Sequence, residues 1–259
     1  MIVSALCVVG AGVIVALTRY QVIADEKALA AKAIQVAGDE IAQWIDSYGM
    51  FVSTLAAAPA VRGGNREEAK AFIQSIGASM NPDIQSLIFI DKNGNGAYHT
   101  GREGDLSDRD YFKTVVVERK TKTLVTNPFL ARSTGDVIVA FVSAVTDKNG
   151  EVSGAIFASV ASKALNNAVE KLKISESSEG WLIDSSGLIF AHPNPETILK
   201  MTIANSKEFG YEGLDKNAKY ILSNELRGGG GGGAIVFSHP HRGGRAVLLA
   251  PRQNTPKRF

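Results

Sequence analysis

A single cysteine, Cys7, stands in this chain of 259 residues, so no internal disulfide can form and the core must hold the fold. Charge of one sign is also missing. With 28 basic residues against 26 acidic, the formal net charge is +2, which removes any global electrostatic case for nucleic acid. Aromatics make up 7% and hydrophobic residues 45%, ordinary values for a folded protein and too apolar for a disordered one. Signatures of catalysis are scarce: there is no G-x-S-x-G, no H-E-x-x-H and no P-loop. The glycine run 227–233 lacks the lysine and the strand-to-helix setting that cradle phosphate. Of the four histidines, His99, His192, His239 and His241, the last two sit two apart in "SHPHRGG" with no Cys, Asp or Glu close by. They read as turn or surface residues rather than metal ligands. No enzyme activity, cofactor or metal is expected. The rival reading, a membrane-tethered hydrolase, needs His192, His239 and His241 to converge.

Long apolar runs are equally rare, with one exception at the start. "MIVSALCVVGAGVIVALT" carries no charge before Arg19. As a helix it reaches about 27 Å, just short of a hydrocarbon core of about 30 Å. No polar stripe marks it as a buried core helix, and no basic start marks it as a cleaved signal peptide. A membrane anchor over 1–19 is therefore expected. Arg19 follows the run and no Lys or Arg precedes it, so the positive-inside rule alone would place residues 20 onward in the cytoplasm. Basic residues upstream of Met1 are the expectation that removes this conflict.

Proline is absent from Glu26 to Leu55, where Ile34, Ile41, Tyr48 and Leu55 share one heptad position and Gly38, Ile45 and Val52 the other. This narrow seam predicts one long helix over 20–60, ended by Pro59 and "RGGN". The seam can dock on its own domain, pair with a second copy of the chain, or do both along its length. A second helix is expected from Asn65, a good N-cap, with Glu67 and Glu68 in its first turn and Phe72, Ile73 and Ile76 facing inward.

Beyond residue 83 the period shortens to that of strands. "SLIFIDKNGNGAYHT", "DVIVAFVSAVTDKNGEVSGAIFASV" and "GWLIDSSGLIFAHP" each read as strand, turn, strand, with turns at Asp91–Gly94, Asp147–Gly150 and Asp184–Gly187. Helical stretches are predicted at about 108–119, 162–173, 195–204 and 213–226. Hairpins interspersed with short helices mean an α+β fold with antiparallel sheets, not a doubly wound parallel one.

The stretch "DLSDRDYFKTVVVERK" (105–120) holds the best candidate for a site. Ser107 or Asp108 is a plausible N-cap for the helix it begins. Arg109 at a helix start finds no dipole to complement there, and an ion pair with a surface acid would add only about 0–1 kcal/mol. Tyr111 and Phe112 point about 100° apart on a helix, so one is expected to pack inward while the other lines a concavity. A guanidinium fork beside aromatic walls suits a carboxylate or a planar polar ligand.

Taken together, the apolar start, the long helix, "DLSDRDYFKTVV", "TLVTNPFLARSTGDVIVAFVSAVTDKNGEVSGAIFASV" and "GWLIDSSGLIFAHPN" resemble the double Cache sensor domain. This is the extracytoplasmic part of bacterial methyl-accepting chemotaxis receptors and of related transmembrane histidine kinases and diguanylate cyclases. The resemblance covers roughly 20–226 and implies two PAS-like modules on the long helix. A membrane-distal module over 61–175 would bind a small molecule, and a membrane-proximal one over 176–259, C-terminally incomplete, would relay the signal. It also implies a homodimer through the long helix, tethered to the inner membrane with its sensor part in the periplasm. In the amino-acid-binding branch, an arginine followed by x-Trp-Tyr grips the ligand carboxylate. Arg109 matches that arginine, and Tyr111 and Phe112 stand at the aromatic positions. The candidate ligand-binding set is Arg109, Asp110, Tyr111, Phe112, Phe129 and Ser159. Three departures from the family pattern matter. Its tyrosine falls at Phe129, an acid two positions on falls at Ala131, and the aspartate that holds the ligand amine falls at Ser159. An ammonium would lack its counter-charge, so the expected ligand is a small carboxylate or planar polar compound rather than an ordinary α-amino acid.

Overall fold

The computed structural model describes residues 2–63, 65–161, 163, 166–167, 178–184, 186–222, 235–238 and 246–251. The chain divides into two units: Glu40–Ala168 with Asn194–Lys200, and Met1–Asp39 with Val169–Pro193 and Met201–Phe259. Helix α1 runs Ile2–Ala56, followed by the short α2 (Pro59–Arg62) and by α3 (Arg66–Gly77). Among the described residues no helix is long and apolar enough to cross a membrane. Most of the anchor expected over 1–19 lies outside them, since the side chains of residues 1–12 are not described.

In the first unit a seven-stranded antiparallel sheet carries the core. Its strands are β1 (Ile84–Asp91), β2 (Asn95–Tyr98), β3 (Glu103–Asp105), β4 (Thr123–Val125), β5 (Phe129–Leu130), β6 (Val137–Thr146) and β7 (Val152–Ala161). They lie in the order β3-β2-β1-β7-β6-β4, with β5 also pairing β6. The middle strands read as nearly continuous apolar runs because both of their faces are covered. On β6, Val139, Phe141 and Val145 are buried on one face. Trp44 and Tyr48 of α1 meet the Phe141 ring there, at 5.9 and 5.2 Å between centroids. Ile138, Ala140, Val142 and Ala144 point the other way, into a cluster with Tyr111, Phe112 and Val115. The heptad seam docks at its C-terminal end: Ile41, Ile45, Tyr48, Val52 and Leu55 are all buried within the chain. The surroundings of Ile34 and Gly38 lie outside what is described.

Helix α3 begins as its sequence requires. The Asn65 side chain accepts from the N–H groups of Glu67 (3.0 Å) and Glu68 (3.4 Å), and Ala69 and Ile73 face the core, with Phe72 and Ile76 half-buried. Replacing Asn65 with Ala should cost about 1 kcal/mol, read as a lower urea midpoint at unchanged m-value. Arg66 then reaches the first hairpin turn, donating to Asp91 Oδ2 at 3.1 Å and to the Asn95 carbonyl at 3.0 Å.

The second unit holds a four-stranded antiparallel sheet in the order β10-β11-β8-β9, where β8 is Ser178–Ile183, β9 Ile189–Ala191, β10 Ile235–Ser238 and β11 Ala246–Pro251. Helix α5 (Leu214–Leu222) belongs to this unit, and Leu214 joins Trp181, Ile183, Ile189, Met201 and Ile203 in its core. Both units are thus α+β with antiparallel sheets.

The four expected helical stretches after residue 105 fare differently from one another. The one over 195–204 is a 3₁₀ turn, Pro195–Thr197, capped by Asn194, whose side chain accepts from Glu196 N–H at 3.0 Å. The one over 213–226 is α5, with 223–226 outside the described residues, as is most of 162–173. The one over 108–119 is a single α-turn, α4 (Asp110–Phe112), continued as a π-turn over Lys113–Val117 in which Glu118 N–H donates to Lys113 C=O at 2.8 Å. Four successive β-branched residues, Thr114–Val117, oppose a longer α-helix there. Ser107 and Asp108 are not the caps. Asp105 accepts from the Ser107 N–H at 2.9 Å, Asp108 is paired with Arg132, and the cap position falls to Arg109 in extended backbone.

Candidate functional site

Alternate residues on one sheet face form the floor of a cavity of about 160 Å³: Ser86 and Ile88 of β1, Ile138 of β6, Phe157 and Ser159 of β7. Ser86 and Ser159 are cross-strand partners, next to a bulge at Ile84/Ser86 that offsets the β1 register. Over this floor runs the segment that ends in α4, contributing Asp105, Leu106, Arg109 and Tyr111. The end of β2 adds Tyr98, the β2–β3 turn Arg102, and the loop after β5 Ala131 and Arg132.

The roof segment is tied down by backbone. Leu106 N–H donates to the Gly94 carbonyl at 2.8 Å, Arg109 N–H to Leu106 C=O at 3.1 Å, and Lys113 N–H to Arg109 C=O at 3.0 Å. Arg109 therefore leaves a fixed extended backbone (φ −76°, ψ 135°) rather than a frayed helix end. Its Nε is buried with no hydrogen-bond partner, and no carboxylate lies within ion-pair distance among the described residues. An unmatched buried guanidinium donor costs free energy unless something fills the site. Tyr111 stands between Phe157 (4.9 Å between centroids) and Phe129 (6.2 Å). Burial pushes its hydroxyl far above the usual phenol value, with Arg109 pulling weakly the other way, so the hydroxyl stays a neutral donor near neutral pH.

Four of the six candidate residues, Arg109, Tyr111, Phe129 and Ser159, line this cavity; Asp110 and Phe112 do not. Asp110 is exposed, and Phe112 is buried in the core at 3% exposure. Tyr111 is buried as well, at 7%, so the expectation that only one ring packs inward is corrected. The single α-turn lets both rings join one core cluster, while Tyr111 alone also borders the cavity. Ser86, Tyr98, Arg102 and Arg132 are lining residues that sequence reasoning missed. Ser86 was accessible through strand alternation with Ile88, and Tyr98 as the cross-strand partner of Ile88 in the predicted hairpin; Arg102 and Arg132 arrive from loops, which leaves no local signal.

The histidines do different work. His99 Nδ1 accepts from Leu87 N–H at 3.2 Å, a structural contact. His192 is buried, 4.6 Å from the Trp181 ring and 5.4 Å from that of Tyr211. His239 and His241 lie outside the described residues. Among the described residues no cluster of three His, Cys, Asp or Glu could hold a metal.

A sheet-floored, aromatic-walled cavity with an arginine on its wall can receive a small polar molecule. The chain belongs to the Cache domain family in its double form, whose model matches residues 16–248, and so to the extracytoplasmic sensor domains. It is 26% identical over 202 residues to the methyl-accepting chemotaxis protein McpA of Bacillus subtilis (strain 168), covering 71% of this chain and 29% of that protein. The chain thus spans under a third of the length of that curated relative. Among solved structures, the ligand-binding domain of the Pseudomonas fluorescens chemoreceptor CtaA in complex with L-serine superposes with a TM-score of 0.66 at 15% identity, over 86% of this chain and 96% of that one. The ligand-binding domain of the Pseudomonas aeruginosa PAO1 amino acid chemoreceptor PctC in complex with GABA gives 0.63 at 17%, over 85% and 96%. At such identities these likenesses establish the fold.

Proposed function

We propose that the chain is the sensor part of a bacterial transmembrane chemotaxis receptor, and that the Glu40–Ala168 unit is its membrane-distal module, binding a small carboxylate or planar polar compound, with the carboxylate favoured. The observation that carries the reading is Arg109: a guanidinium on a cavity wall, its Nε buried and unpartnered. A ligand carboxylate would supply the missing acceptors in bidentate geometry, with the neutral Tyr111 hydroxyl as a further donor. L-serine and GABA, the ligands of the two structural relatives, both carry a carboxylate. In this chain the matching positions for an amine-holding acid are Ala131 and Ser159, the latter 2% exposed. An ammonium placed between those two positions would meet no carboxylate from them, since the one acid on the wall is Asp105, and this disfavours ordinary α-amino acids.

The ligand's preference for one arrangement of packed elements would drive the signal, with no chemistry performed. Residues 1–19 would tether the chain to the inner membrane with the sensor in the periplasm, and α1 would pair with its copy in a second chain. The second unit would be the membrane-proximal module. Calorimetric titration of the purified chain against short-chain carboxylates and the common α-amino acids tests the ligand class. Saturable heat is expected from carboxylates alone; tight binding of alanine or serine refutes it.

A further inference from the structure

Resting on the carboxylate reading above, we infer that the ligand carries a second anionic group and that Arg102 receives it. The cavity wall holds three arginines, Arg102, Arg109 and Arg132, against one acid, Asp105. Arg132 is already neutralised, since Asp108 accepts from its Nη1 at 3.3 Å and pairs with its Nη2. Asp105 is held by the Ser107 backbone N–H, a contact that keeps its carboxyl below the usual range, and it offers the site one negative charge at most. Two guanidiniums, Arg102 and Arg109, thus face that single carboxylate across the cavity. Neither Arg102 nor Arg109 has a carboxylate within ion-pair distance among the described residues.

Arg102 is not loose. Its guanidinium carbon lies 4.6 Å from the centre of the Tyr98 ring, and Tyr98 itself lines the cavity. Stacking on a ring face restrains the plane of the fork and leaves its N–H edges free to meet a carboxylate. A monoanion bound at Arg109 leaves Arg102 without a partner on the same wall, whereas a dianion meets both. The cavity, about 160 Å³, has room for a short-chain acid. Because Arg102 is exposed, its contribution is that of a rim charge: real, smaller than that of Arg109, and sensitive to salt.

Titrating the chain, residues 1–259, with succinate, glutarate and butyrate tests this. The wild type should bind one of the two diacids about 10-fold more tightly than butyrate, and the ratio should narrow between about 50 and about 300 mM NaCl. Arg102→Gln should bring the ratio below about 3-fold by weakening the diacids much more than butyrate, with an unaltered far-UV spectrum showing that the variant is folded. Equal binding of butyrate and the diacids by the wild type overturns the inference, as does a variant that weakens all three alike. Absence of binding by all three acids, or full binding by an Arg109→Ala variant, overturns the carboxylate reading itself and this inference with it.

Discussion

Arg109→Ala should abolish ligand-induced stabilisation while leaving the empty protein as stable as before, or more stable. A ligand present at 100 times its dissociation constant adds about 2.7 kcal/mol, or about 5–11 °C in Tm for a chain of this size. Losing a bidentate, charge-assisted contact weakens binding by about 100-fold, which at the same ligand concentration leaves about 0.4 kcal/mol and a shift of about 1 °C. The effect on the empty protein has the opposite sign to that of a structural arginine. Arg109 Nε is buried without a partner, so alanine removes an unmet donor and not a hydrogen bond. An empty variant that melts far below the wild type would mean that the guanidinium braces the fold; retained stabilisation by the ligand would remove Arg109 from the site. Arg109 and Tyr111 are thereby distinguishable. Tyr111→Ala deletes a ring packed against Phe157 at 4.9 Å and should lower the melting temperature with or without ligand.

What sequence could and could not disclose follows from the range of the interactions involved. The three hairpins were legible because their turns are local chemistry. Asp91 Oδ1 accepts from Asn93 and Asn95, Asp147 Oδ1 from Asn149 and Glu151, and Asp184 Oδ1 from Ser186 and Leu188. Each aspartate thus ties its own backbone two and four residues on, and the pattern Asp-x-x-Gly is visible without any fold. Arg109 was singled out for a similar reason: at that spot an ion pair with a neighbouring acid would account for little. The helix over 108–119 was misread because the periodicity of Tyr111, Phe112, Val115 and Val116 suits an α-helix, whereas the β-branched run and the pull of two core rings favour one turn followed by a π-turn. Arg102 and Arg132 could not be found at all. One reaches the cavity through a turn between β2 and β3, the other from the loop after β5, and nothing in the residues beside them encodes that meeting. The family departures at Phe129, Ala131 and Ser159 were readable as identities, and their placement on one cavity lining gives them a common consequence, no carboxylate from those positions for an amine.

Gly154→Ala should be the most destabilising single methyl that the sheet can receive. Gly154 pairs with Asp91 of β1 on one side and with Val145 of β6 on the other. A Cβ built there would lie 2.3 Å from the Ile90 carbonyl oxygen and 3.4 Å from the Asp91 Cα, and both are backbone atoms that no rotamer change can move. Relief requires β1 to back away from β7, yet the end of β1 is clipped by Arg66 through Asp91 Oδ2 at 3.1 Å. The displacement would also carry to the site, because the Gly94 carbonyl in the turn after β1 receives the Leu106 N–H that holds the Arg109 segment. A cost of about 3 kcal/mol is expected, a fall of about 6–12 °C in Tm by far-UV circular dichroism. Ligand affinity should fall along with stability, unlike the Arg109 variant, in which the two separate. Gly49→Ala provides the opposite sign: it lies within α1 with nothing inside 4 Å of an added Cβ, so it should gain about 0.5–1 kcal/mol of helix propensity. A Gly154→Ala protein melting within about 1 °C of wild type would show that β1 and β7 do not approach as closely as drawn. The site built across those two strands, at Ser86 and Ser159, would then have to be redrawn with them.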